Sequence, residues 1–332
     1  MARPVITRAV DAVLDRSVVL GYTTIGLAVR RALPGWPADP PPGSLEGRHV
    51  LVTGASSGLG AATVEGLAGL GATVDMLVRD EAKGAGVADR VRATHPGAEL
   101  RLWRCDVADL DDVRRFASGF AAEVPELHAV VHNAGVMPPE RTASPQGHEL
   151  SMAVHLVGPV VMTEALRGPL SSGAAGGRVV LVSSGGMYGQ GLHADDPGYT
   201  TGDYSPTTSY ARSKRWQVEL APLLAERWAA DGVTVATMHP GWADTPGVQE
   251  SLPTFRRLTR PVLRDDAQGA DTSVWLAAVE PAPPTGRFWH DRVERPTHLL
   301  PTTRGSDRDR RRAWAWLEEA AGLDGSDGSA DA

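Results

Sequence analysis

Tyr210-Ala211-Arg212-Ser213-Lys214 sets a phenol and an ammonium four residues apart, on one side of a single helical turn. A phenol titrates near pH 10 and is a poor base at neutrality unless a positive charge stands close by. Two unit charges about 4 Å apart at an effective dielectric near 20 interact by roughly 4 kcal/mol, enough to lower the phenol by up to about three units. The pair therefore reads as an acid/base for a substrate oxygen. The same spacing also arises on ordinary surface helices, so its meaning depends on the surrounding residues.

A second group of residues could hold an anion. Thr53-Gly54-Ala55-Ser56-Ser57-Gly58-Leu59-Gly60 directly follows the apolar run His49–Thr53 and opens a helical stretch over 58–70. Glycines there permit a tight turn and a close approach of backbone to pyrophosphate, and the free N–H groups of the helix start face the anion. A plain structural turn is the competing reading; the position between strand and helix favours a dinucleotide. The next strand ends at Val78 with Arg79 after it, where an acidic residue would mark NAD(H). A guanidinium there suits a 2′-phosphate, so NADP(H) is the expected cofactor and NAD(H) the alternative. Otherwise Arg79 is a solvated residue paired with Asp80 or Glu81.

These residues need a scaffold, and the chain alternates short apolar runs with longer helical ones. Strands are expected at 49–53, 72–78, 100–104, 128–132, 178–182, 233–238 and 287–289, and helices over 146–167, after Pro206 and over 266–279. The rhythm predicts an α/β fold: a Rossmann-like doubly wound parallel sheet of about seven strands in a three-layer α/β/α arrangement. A proline-dense stretch, 34–43, cannot continue a helix. It divides an N-terminal helical extension with its linker (1–43) from a catalytic domain (44–300), which is followed by a helix and acidic tail (301–332).

The formal charge of −7 opposes binding to a phosphate backbone, which excludes nucleic acid as the expected partner. The single cysteine, Cys105, can form neither an internal disulfide nor a thiolate metal cluster, so no metal and a cytoplasmic location are expected. The apolar run 17–29 is shorter than the roughly 20 residues of a bilayer span. It reads as a helix packed on the body, with peripheral membrane contact as the alternative.

Context gives the Tyr-Lys pair its meaning. Asn133-Ala134-Gly135 follows the fourth strand, Ser183-Ser184 the fifth and Pro240-Gly241 the sixth, all where open α/β sheets bind ligands. From about residue 46 to 300 the chain resembles the short-chain dehydrogenase/reductase family. Ser184-Gly-Gly-Met-Tyr and the run Met238 to Val248 resemble its branch called dehydrogenase/reductase member twelve. The resemblance implies that Ser184 bonds the substrate oxygen, Tyr210 moves the proton, and Lys214 lowers the Tyr210 pKa and binds the nicotinamide ribose. It further implies that Asp106, beside Val107, meets the adenine, that Asn133, Ala134 and Gly135 shape the cofactor pocket, and that Thr245 meets the carboxamide or phosphates. Where the family has an asparagine supporting a relay water, this chain has His155. Imidazole can also hold a water; a packed histidine with no proton role is the other reading.

Two segments bear on the substrate. The connection from Ser184 to Tyr210 is long and carries Tyr188, Tyr199 and Tyr204, and 246–263 carries Val248, Leu252, Phe255, Leu258, Val262 and Leu263. Both suit a lid over a lipophilic carbonyl or alcohol, although the second could equally be a helix packed on the core. A nucleotide-binding protein without turnover and an epimerase or lyase on the same scaffold are the rival functions. The sequence leaves a homo-oligomer open.

Overall fold

The computed structural model describes residues 4–17, 20–173, 176–244, 249 and 253–323. Seven parallel strands, β1 His49–Thr53, β2 Thr73–Val78, β3 Leu100–Arg104, β4 Ala129–His132, β5 Arg178–Val182, β6 Thr234–Met238 and β7 Arg287–His290, form the sheet. A two-residue strand that periodicity does not reveal, β8 Val293–Glu294, pairs antiparallel to β7 and brings the total to eight. The order is β3-β2-β1-β4-β5-β6-β7-β8, so the direction of winding reverses between β1 and β4. That reversal opens the crevice at the carboxyl ends of the strands where doubly wound sheets take ligands.

The central strands are nearly unbroken apolar runs because helices cover both faces, which removes the alternation expected of a half-exposed sheet. One core layer contains Phe120, Leu156, Trp216 and Leu220, the other Val64, Leu67, Val131 and Leu276. The helix Pro206–Arg227 starts where Ser205 accepts a hydrogen bond from the Thr208 N–H and proline occupies the first turn, a favoured pairing of cap and first residue. The helix Asp266–Ala278 begins with a capping box of Asp265 and Gln268. Helix Asp307–Ala321 packs Ala313 and Leu317 into the first core layer.

Two expectations change. The run 17–29 is not one helix: Val5–Arg16 ends, the chain turns, and a second helix, Thr24–Ala32, follows. Gly21 permits that turn, since a side chain there would clash with the Leu14 carbonyl oxygen. The helix expected over 146–167 starts at Leu150, capped by Glu149, and widens to a π-helical turn over Ala153–Val157 that contains His155.

Candidate active site

The turn after β1 is stitched to the turn after β4. Thr53 Oγ1 accepts from the N–H groups of Asn133 at 3.1 Å and Ala134 at 3.0 Å, and the Asn133 amide donates to the Thr53 and Gly54 carbonyls. Gly54 has φ of +67°, and a side chain on Gly60 would meet the Gly54 oxygen at 2.2 Å, so only glycine keeps this cradle open. The helix Gly58–Gly69 begins at Ser57 with no side chain capping its first N–H groups. Free donors over a glycine cradle fit the pyrophosphate of a dinucleotide. Ser56, Ser57 and Leu59 belong to the same turn, Leu59 packing against Gly269.

Ser184, Tyr210 and Lys214 meet beyond the end of β5. The Ser184 hydroxyl accepts from the Gly186 N–H at 3.2 Å and lies near enough to the Tyr210 phenol to favour its ionised form. Ser183 points elsewhere: it is buried and its hydroxyl donates to the Lys214 carbonyl at 2.9 Å, tying the catalytic helix to the strand. Lys214 Nζ donates to the Val182 carbonyl at 2.7 Å and lies 5.6 Å from the centre of the Tyr210 ring.

The electrostatic expectation is corrected in sign. Burial raises the Tyr210 phenol above its ordinary value, against a smaller lowering from Ser184, and burial pulls the Lys214 ammonium down to about 7. Four-residue spacing gives the Coulomb attraction but not the desolvation, and desolvation is the larger effect here.

His155 sits in a packed environment. His155 is fully buried, its Nδ1 lies 2.7 Å from the Ser213 hydroxyl, and its Nε2 accepts from the Val136 N–H at 3.0 Å. Both nitrogens have protein partners, and burial together with the Lys214 charge holds the ring neutral. Its edge meets the Tyr210 ring at 5.2 Å between centroids. Sequence reasoning missed Ser213 and Val136 as its partners, because neither residue type nor spacing marks them.

Arg79 follows β2, is exposed, and makes no hydrogen bond or ion pair with another described residue. Asp80 caps the next helix through the Lys83 N–H and faces Lys83 Nζ at 3.8 Å, so the pairing of Arg79 with Asp80 is not formed. Asp106 follows β3, one oxygen accepting from Ala108 N–H, while Val107 is buried against Gly158. Gly135 is exposed at the same edge, and Pro240 and Gly241 lie half-buried beyond β6. Thr245 lies outside the described residues, as do 248 and 252 of the second lid segment.

The segment between Ser184 and Tyr210 is built rather than loose. Asp196 gathers the hydroxyls and N–H groups of Thr200 and Thr201, and the Arg212 guanidinium covers the Tyr199 ring at 4.1 Å. Tyr188 is a core residue whose hydroxyl donates to the Pro296 carbonyl at 2.7 Å.

Glycine cradle, switch point and a Ser-Tyr-Lys set define a nicotinamide-nucleotide oxidoreductase of the doubly wound class. Residues 48–254 match the short chain dehydrogenase family. Human "Dehydrogenase/reductase SDR family member 12" is 36% identical over 83% of this chain and 87% of its own length. Bovine "Retinol dehydrogenase 12" is 33% identical over 74% of this chain and 78% of its own. The crystal structure of a metagenomic short-chain oxidoreductase in complex with NADP superposes with a TM-score of 0.53 at 27% identity, covering 71% of this chain and 92% of that one. The chain belongs to the short-chain dehydrogenase/reductase family, oxidoreductases of CH–OH and C=O groups.

The two pKa shifts make a pH prediction. Tyr210 stays protonated through neutrality, but Lys214 carries its charge only below about 7. The charge that supports a departing phenolic proton is therefore lost as pH rises, and kcat/KM for carbonyl reduction, which reports the free enzyme, should fall through pH 7. The activity left in Lys214→Arg should lack that limb. A wild-type profile flat from about pH 6 to about pH 9 contradicts the assignment.

Proposed function

We propose that this protein is an NADP(H)-dependent reductase or dehydrogenase of a lipophilic carbonyl or alcohol. The observation that carries the reading is the Ser184, Tyr210 and Lys214 set at the strand edge beside the glycine cradle. The cofactor, when bound, supplies or accepts the hydride at the substrate carbon. The chain's own residues handle the oxygen: Ser184 hydrogen-bonds it, and Tyr210 gives it a proton in reduction or takes one in oxidation. Lys214 stabilises the phenolate left after proton transfer and holds the nicotinamide ribose. His155 fixes the Tyr210 ring and the 136 turn rather than moving a proton. Gly54 to Gly60 with Asn133, Ala134 and Gly135 would hold the pyrophosphate and nicotinamide side, Asp106 with Val107 the adenine, and Pro240, Gly241 and Thr245 the carboxamide.

NADP(H) is favoured by the unpaired Arg79 and by the NADP complex of a structural relative. A lipophilic substrate is favoured by the name of the retinol dehydrogenase relative. A complete acid/base set weighs against a binding protein without turnover.

Tyr210→Phe should abolish NADPH oxidation by a panel of ketones and aldehydes while NADPH affinity stays near wild type, because only the proton is lost. Retained activity above a few percent removes Tyr210 as the acid/base. Arg79→Ala should weaken NADPH by about 1.5–3 kcal/mol and leave NADH nearly unchanged, shrinking the preference roughly ten- to a hundredfold. Equal losses for both nucleotides, or a wild type that prefers NADH, would overturn the cofactor assignment.

We also infer a cytoplasmic protein with peripheral contact to an anionic membrane. No described helix is long and apolar enough to cross a bilayer. Of the seven exposed large apolar side chains among the described residues, five, Ile6, Val13, Leu20, Ile25 and Val29, lie in the N-terminal helix pair. Arg8 and Arg16 are exposed there, Arg31 pairs with Asp271 at 2.8 Å, and Asp11 and Asp15 are buried. Exposed apolar side chains beside exposed arginines in one helix pair suit an anionic interface. The protein should float with phosphatidylglycerol vesicles and not with phosphatidylcholine, and Ile25→Glu should release it; no flotation with either lipid sinks the idea.

A further inference from the structure

The N-terminal helix pair precedes the family-matched region, yet it reaches the strand edge that carries the site. Tyr22, between its two helices, is buried, and its carbonyl accepts from the Trp242 N–H at 2.8 Å. The Tyr22 ring stands edge-on to His239 at 4.5 Å, and a side chain on Gly185, next to Ser184, would meet its ring at 2.7 Å. One aromatic side chain thus touches both the serine turn and the turn after β6.

A buried charge ladder fixes that aromatic. Arg30 Nη1 donates to the Gly21 carbonyl at 2.5 Å and to Asp291 at 2.7 Å, while its Nε donates to Asp11 at 2.8 Å. Asp291, held in the left-handed region at φ +50°, also takes Arg264 through both oxygens, at 2.6 and 2.9 Å. Arg264 grips the turn after β6 from three sides: its Nη1 donates to the Pro240 carbonyl at 3.1 Å, its N–H to Trp242 O at 2.7 Å, and its carbonyl accepts from Asp244 at 2.9 Å. Arg30, Asp291 and Arg264 are each about 1% exposed, so none of these links is screened by water. The other end of the ladder is closed by Arg295, which takes both oxygens of Asp11 at 2.9 Å without touching the 240–244 turn in any described hydrogen bond.

We propose that Tyr22 and Arg30 are positioning residues for nucleotide binding. Through Trp242 and the Asp291 to Arg264 link, the N-terminal helix pair presets the 240–244 turn against the nicotinamide half of the cofactor. The assignment rests on the reading above that Pro240 and Gly241 meet the cofactor. A displaced binding turn costs affinity even when every contacting residue is intact.

The test uses the full chain with two readouts, amide hydrogen exchange of residues 239–244 without nucleotide and NADPH affinity by fluorescence titration. Tyr22→Leu keeps an apolar side chain, and Arg30→Lys keeps the charge but not the reach to Asp11, Gly21 and Asp291 together. Each should speed exchange in 239–244 by more than roughly tenfold over residues 178–182 and weaken NADPH roughly tenfold. Arg295→Lys, at the far end of the ladder, should lower the urea midpoint while leaving both readouts near wild type. Unchanged exchange in Tyr22→Leu and Arg30→Lys overturns the positioning role. Faster exchange with unchanged affinity instead shows that the 240–244 turn does not hold the cofactor, and so strikes the reading of the site. Equal changes in all three variants show general loosening, which also overturns the proposal.

Discussion

A buried ammonium with a carbonyl as its hydrogen-bond acceptor and no carboxylate paired with it among the described residues is the constraint around which this site is organised. Lys214 is 2% exposed and donates to Val182 at 2.7 Å, and burial brings it to about 7. Isolated charge in a low dielectric is costly, so such a group persists only where the surroundings fix it. Ser183 does so by holding the Lys214 carbonyl, and β5 does so by offering its last carbonyl. Those two bonds set the position of the helix Pro206–Arg227, and with it the approach of Tyr210 to Ser184.

Composition sharpens the point. Of 33 lysines and arginines only two are lysine, Lys83 and Lys214. The other buried cations are arginines with acidic partners or several carbonyls, as Arg30, Arg264 and Arg215 show. Guanidinium stays charged in proteins, whereas ammonium yields its proton when desolvated. Arginine thus serves where buried charge is permanent and architectural, and Lys214 stands where it is conditional.

Strand positions, the glycine turn and the Tyr-Lys pair were legible in sequence because each is local: runs of four to six apolar residues, a turn chemistry, a helical spacing. What was not legible depends on partners far along the chain. His155 meets Ser213 and Val136, 58 and 19 residues away, and those contacts occupy both of its ring nitrogens. The sign of the Tyr210 shift was missed for a related reason: spacing encodes a charge pair, while burial is a property of the assembled core. The run 17–29 has an apolar character that suits one helix, yet it turns at Gly21 and begins a second helix at Thr24 whose Arg30 pairs with Asp291, 261 residues away.

The central claim is that Lys214 is a conditional charge, and a two-lysine protein allows it to be observed directly. With ¹³C-labelled lysine, the ε-carbon spectrum of the free protein should contain two signals to follow with pH. The signal that vanishes in Lys214→Arg should titrate near pH 7. A Lys214 signal that titrates only above about pH 10 would contradict the account, because Lys214 would then be an ordinary ammonium and burial would not govern the site.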